Sequence, residues 1–266
     1  MDTMRNDRPI TFFRGVLAMI CCVCLVVFTM ACDDDDSFDS ELEEAKIAID
    51  GNQFDKAISI LTGMPQVAEV LETLGSAYVG KAGLNTFDIL SALETGGPET
   101  VDIIGKMLGE GEQGLLSCLE IIDRLSYMDQ GKTALTQSVG GRALSDDGTI
   151  KLGIYGLTDF VLVLGEVLCQ NYGDAVSPVR IVGLTEAWVK TLKARPGVDF
   201  STINVTQAEL DQMGQDVWYV QQSVSILGVG NDLAEEFQAI QKLIDPNGDG
   251  IIVYAEFVAF LNGLGE

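Results

Sequence analysis

Residues 149 to 170, TIKLGIYGLTDFVLVLGEVLCQ, form the most apolar stretch beyond the N-terminal segment, and nothing else in the chain limits its fold as strongly. A run of that length and hydropathy is either a membrane span or the central helix of a packed core. Asp159 and Glu166 lie within it, and a charge at membrane depth is expensive. The run is therefore expected to be a buried helix whose two acids find polar contacts. Glycines at 153, 156 and 165 suit tight packing against neighbouring helices.

The surrounding chain has the same period. From Ser37 onward apolar residues recur at spacings of three and four, and period-two alternation is scarce. The expected fold class is all-α, a multi-helix bundle. Leu42, Ala45 and Ile49, then Phe54, Ala57, Ile58 and Leu61, mark two short helices around a Gly51-Asn52 break, with Pro65 ending the pair. A third helix is expected over 67–83, and others over 86–94, 99–108 and 112–128, with a polar loop at 137–148 before the apolar run. After a loop at 171–178, a helix containing Trp188 is expected over 179–194. Thr206 and Glu209 read as a T-x-x-E capping box opening a helix to about Leu227, buried along Met213, Val217, Val220, Val224 and Leu227 and stopped by Gly228 and Gly230.

Phe54 and Ala57, followed by Leu74, Gly75, Ala77 and Tyr78, resemble the small-residue signature of a tetratricopeptide repeat, in which small side chains let paired helices approach closely. The resemblance covers about residues 41–83, with a spacing shorter than the roughly 34 residues of that repeat. It implies one or two degenerate units capping a helical body.

Acidic residues outnumber basic ones 40 to 16, a formal charge of −24, which repels phosphate backbones and makes nucleic acid an unsuitable partner. The chain has no histidine, which excludes histidine triads, histidine-containing zinc sites and histidine proton relays. No nucleophile motif or phosphate loop accompanies its many carboxylates, so the chain is read as not an enzyme.

The N-terminus reads as an export signal. Arg5, Arg8 and Arg14 precede the apolar run GVLAMICCVCLVVFTMAC. Thr29, Met30 and Ala31 before Cys32, with Asp33 to Asp36 after it, resemble the lipobox of bacterial lipoproteins, which implies lipid attachment at Cys32 and a membrane anchor. Thr29 and Ala31 also fit an ordinary cleavage site, and an uncleaved anchor is the third reading. All three place the body of the protein outside the cytoplasm, and the lipobox resemblance implies a bacterial cell envelope. The four aspartates read as a solvated tether held off an anionic membrane. Outside this segment only Cys118 and Cys169 remain, either as small buried hydrophobes or as a disulfide of an oxidising compartment.

DPNGDGIIVYAE, residues 245–256, carries the sharpest chemistry. A calcium loop offers side-chain oxygens at positions 1, 3 and 5, a glycine at 6, a backbone carbonyl at 7 and a bidentate glutamate at 12. Asp245, Asn247, Asp249, Gly250, Ile251 and Glu256 occupy those positions. Ile252 holds the apolar position 8, and Val253 at position 9 has no side-chain oxygen. Phe237, Ile240, Leu243 and Ile244 before the loop, and Phe257, Phe260 and Leu261 after it, complete a helix-loop-helix that resembles an EF-hand. The competing reading, a plain turn, accounts for DPNGDG but not for Ile252, Glu256 and the flanking helices. A second segment, VDFSTINVTQAE at 198–209, aligns Val205 and Glu209 with positions 8 and 12. Val198 and Ile203 bar it from holding a metal, so it is either a degenerate pairing strand or only a capping box.

The resulting expectation is a signal peptide at 1–31, an acidic tether at 32–40, a helical domain at 41–230 and an EF-hand motif at 231–266. The function expected is structural calcium binding by a membrane-tethered envelope lipoprotein. The alternative is a helical scaffold for a protein partner in which the loop is incidental.

Overall fold

The computed structural model describes residues 34–84, 115–173, 179–180, 193–227 and 232–263. The export signal, Cys32, the helices expected over 86–94 and 99–108, Trp188, Gly228 and Gly230 lie outside them. Two compact units divide the chain, Met1–Glu44 and Ala45–Glu266.

The described residues are all-α but for one two-residue strand pair. Their helices are α1 (Asp34–Asp50), α2 (Phe54–Gly63), α3 (Ala68–Lys81), α4 (Cys118–Ser138), α5 (Asp146–Tyr172), α6 (Gln207–Leu227), α7 (Asp232–Ile244) and α8 (Tyr254–Gly263). Helix α1 begins inside the expected tether, so Asp34 to Ser40 are helical. The unit boundary falls within α1, and the helix-loop-helix segment expected to be an EF-hand falls in the second unit together with the helices before it. Asn52 takes the left-handed conformation (φ 56°) that ends α1, at the break the sequence marks.

In the second unit α5 is the axis. It packs against α4 on one side and α6 on the other, α3 covers α4, α2 covers α3, and α7 packs on α6. By length and composition α5 is the one described helix able to cross a membrane, but 94% of its apolar window is buried against other helices. Close packing depends on glycines at the crossings. A Cβ on Gly153 would stand 2.2 Å from Ser223 Oγ, and one on Gly156 would stand 2.9 Å from the Asp216 carbonyl. Gly75 and Gly131 make the same kind of notch between α3 and α4, where a Cβ on Gly75 would sit 3.1 Å from the Gly131 carbonyl.

The expected contacts of Asp159 are supplied from both flanking helices. Lys132 of α4 donates Nζ–H to Asp159 Oδ2 and to Asp216 Oδ1 of α6, the latter at 2.8 Å. Gln212 of α6 donates to Asp159 Oδ2 at 2.8 Å. Glu166 is half-buried; burial pushes its carboxyl above the usual range, Glu209 adds to the rise, and a hydrogen bond with Gln170 opposes it.

Three local expectations are corrected. The helix expected from 112 starts at Cys118, because Ser117 and Glu120 cap it reciprocally, Ser117 N–H donating to Glu120 Oε2 at 2.7 Å. Leu115–Leu116 before it form a strand, β1, antiparallel to β2 (Val179–Arg180), so 179–180 open no helix. Helix α5 reaches back to Asp146, where the Ser145 hydroxyl accepts from Gly148 N–H at 3.1 Å.

Cys118 and Cys169 are joined in a disulfide with Cα atoms 5.7 Å apart, linking the start of α4 to the end of α5. The bridge spans a sequence separation of 51 residues, for which chain entropy gives a stabilisation of roughly 4 kcal/mol. Replacing both cysteines by alanine is expected to lower the unfolding free energy in urea by about 2–5 kcal/mol. Equal stability of the oxidised and cysteine-free proteins would contradict that assignment.

Candidate metal-binding loop

Helix α7 ends at Ile244, whose side chain is buried, and the chain turns through 245–253 into α8. Asp245 organises the turn from inside. It is only 1% exposed, and its two oxygens accept from the Gly248 and Gly250 amides at 2.9 and 2.8 Å. Gly248 (φ 73°) and Gly250 (φ 74°) both take the left-handed conformation that lets these amides turn inward. The sequence singled out Gly250 alone.

Asn247 and Asp249 repeat the device. Asn247 Oδ1 accepts from Asp249 N–H at 3.0 Å, and Asp249 Oδ1 accepts from Ile251 N–H at 2.8 Å. Glu256, in the first turn of α8, folds back over the loop. Its Oε1 accepts from Asn247 Nδ2 at 2.9 Å and its Oε2 from Val253 N–H at 3.2 Å.

Helix α6 closes the loop from behind. A Cβ on Gly214 would lie 2.9 Å from the Gly250 carbonyl and 3.5 Å from the Ile252 amide, so only glycine admits the loop at this distance. Ile252, Phe257 and Leu261 are buried in the common core, and Phe260 meets Phe160 of α5 edge-on with ring centroids 5.9 Å apart. Leu243, expected on the inner face of the incoming helix, is 59% exposed; the buried side there is held by its neighbour Ile244. The side chains of Phe237 and Ile240 lie outside those described.

The segment at 198–209 meets the loop, though not as a pairing strand. Phe200–Thr202 form a 3-10 turn, and the Tyr254 hydroxyl donates to the Ile203 and Ser201 carbonyls at 3.0 and 3.3 Å. Among the described residues no backbone hydrogen bond joins 198–206 to 251–253. Thr206 and Glu209 are a capping box: Thr206 N–H donates to Glu209 Oε2 at 2.6 Å, and Glu209 N–H to Thr206 Oγ1 at 3.2 Å.

The candidate donors at Asp245, Asn247, Asp249, Ile251 and Glu256 are all oxygens, the chemistry a calcium ion takes. Side chains from both ends of the loop meet at Asn247 and Glu256. The three carboxylates do not share a centre. Among the described residues no group of three or more acidic or cysteine side chains is gathered so as to hold a metal ion. Asp245 and Asp249 spend oxygens on loop amides, and Glu256 spends its pair on Asn247 and Val253.

No protein-family model, curated protein or solved structure matches the chain.

Gly214→Val is expected to destabilise the protein by about 1–3 kcal/mol through overpacking against the loop backbone. Gly263→Ala, where a Cβ meets nothing within 4 Å, serves as the harmless comparison. Urea unfolding of both variants tests the difference, and equal stabilities would contradict the notch.

Proposed function

We propose that the protein is a non-catalytic calcium-binding protein of the bacterial envelope, exported and held to a membrane through a lipid on Cys32. The observation that carries the calcium reading is the set of side-chain-to-amide hydrogen bonds from Asp245, Asn247 and Asp249, completed by Glu256 returning to Asn247. These bonds settle the loop's shape before any ion arrives, so little backbone ordering remains to be done on binding.

Asp245, Asn247, Asp249 and Glu256 would hold the ion with side-chain oxygens, and Ile251 with its carbonyl. Bound calcium supplies a compact double charge that relieves repulsion among carboxylates. Asp249 is exposed and Glu256 half-buried, so each would exchange a hydrogen bond for the ion, whereas Asp245 stays fixed in the core. Because Ile252, Phe257 and Leu261 join the loop to the core, an ion there would stabilise the fold by mass action. Extracellular modules of this kind bind with dissociation constants of roughly 10⁻⁴–10⁻³ M, suited to a structural ion.

Export is supported by the Cys118–Cys169 disulfide, since such bonds persist in oxidising compartments and are rare in the cytosol. The membrane anchor rests on the lipobox resemblance around Cys32, and an unmodified Cys32 in the mass of the mature protein would remove it.

A second reading, a protein-interaction scaffold, is favoured by a cleft of about 780 Å³ lined by Lys46, Phe54, Glu69 and Glu72 of the repeat-like region and by Lys151 of α5. Calcium separates the two. At ten times the dissociation constant the ion is expected to stabilise the wild-type protein by about 1.4 kcal/mol, read as a raised melting temperature that magnesium does not reproduce. Trp218, beside Gly250, is expected to change its fluorescence over the same titration in a Trp188→Phe background. Glu256→Gln should abolish both responses. Identical melts with and without calcium would leave the scaffold standing.

A further inference from the structure

In the core of the second unit, one buried lysine, Lys132, is bonded to two buried carboxyl groups, Asp159 and Asp216. Asp159 and Asp216 are 0% exposed and Lys132 is 8% exposed, so none of the three is solvated in the ordinary way. Lys132 Nζ donates to one oxygen of each carboxyl, Asp159 Oδ2 and Asp216 Oδ1. The other two oxygens, Asp159 Oδ1 and Asp216 Oδ2, are buried with no hydrogen-bond partner. Two ionised carboxylates in this setting would leave a net negative charge and two orphaned acceptors in a low-dielectric core, each of them costly.

A cavity of about 10 Å³ lies beside Asp216, walled by Leu157, Phe160, Val217, Val220, Gln241 and Ile244, a volume at the lower limit for one water. The two carboxyl groups lie side by side about a single ammonium, each bonded through one oxygen to Lys132 Nζ. One proton on the pair removes the excess negative charge and brings the triad to neutrality.

We infer that Lys132, Asp159 and Asp216 form a buried proton-binding site, in which the two carboxyl groups hold one proton between them at neutral pH. Burial pushes the Asp216 carboxyl well up from its usual range; the neighbouring Asp159 pushes further, and Lys132 opposes them. Lys132 remains charged: burial pulls it down, but Asp216 and Asp159 together raise it above the ordinary lysine range.

The sign of the pH dependence follows. The unfolded chain releases the Asp216 proton in the ordinary carboxylate range while the folded chain keeps it. Stability from this group is thus complete at acid pH and is lost as pH rises, until the folded carboxyl itself ionises. Other titratable groups face the triad. Asp129 of α4 lies 3.7 Å from Lys132 Nζ; Glu166 of α5 feels Asp159 and Glu209; Tyr219 of α6 feels Lys132 and Asp216. All of them are retained in Asp216→Asn, which keeps a donor for Asp159 and an acceptor for Lys132. Comparing the two proteins isolates the one proton.

Two measurements test the site. Urea unfolding between about pH 5 and pH 9 should show the wild-type unfolding constant rising by up to about tenfold per pH unit more steeply than that of Asp216→Asn. Infrared spectroscopy of the folded wild-type protein at neutral pH, which needs no variant to fold, should show the carbonyl band of a protonated carboxylic acid. Asp216→Asn should lack that band. Equal pH slopes, or no protonated carboxyl in the wild-type spectrum, would overturn the proposal.

Discussion

One buried ammonium group bonded to two carboxyl groups joins the three central helices of the second unit. Lys132 comes from α4, Asp159 from α5 and Asp216 from α6, and the three heads meet where no solvent reaches. Removing the lysine from such a group strands a buried carboxylate charge, at a cost of roughly 3–5 kcal/mol. An apolar core tolerates small slips in register; this one does not, because a shift of one residue along any of the three helices would break the contact. The glycine notches make the contact feasible, for without the close approach at Gly153 and Gly156 α6 could not bring Asp216 within reach of Lys132.

The candidate calcium loop depends on the same helix. Gly214 lies two residues before Asp216 on α6 and admits the loop backbone at 2.9 Å. Ile252 enters the core that α5 and α6 share. In paired EF-hands the apolar residue at this position lies in a strand that meets a second loop; here its side chain is buried in the core and the Gly214 notch lies against its amide. That arrangement explains how a single loop could be held in shape, while the segment at 198–209 bonds to it through the Tyr254 hydroxyl.

Much of the helix pattern was legible because each helix has its own local signal. The Thr206–Glu209 box, the Gly51-Asn52 break and the apolar face of α6 all follow from neighbours within a few residues. Errors came where a cap or a distant partner decided. The start of α4 depends on a Ser117–Glu120 box, and 179–180 form a strand because Leu115–Leu116, far back in the chain, lie beside them. In the loop, residue types were readable at every ligand position, whereas the directions of the carboxylates were not, since each is set by the amide it accepts from.

By itself the sequence determined that the described chain is helical, that the apolar run at 149–170 is interior to the protein, and which residue types stand at the candidate donor positions of 245–256, because period, turn residues and donor types are local properties. Tertiary structure alone decided that Lys132 and Asp216 would find Asp159, that Cys118 would pair with Cys169, and that Gly214 would back the loop. Those pairings join residues up to 84 positions apart, and sequence carries no record of which distant side chains a packed core will bring into contact.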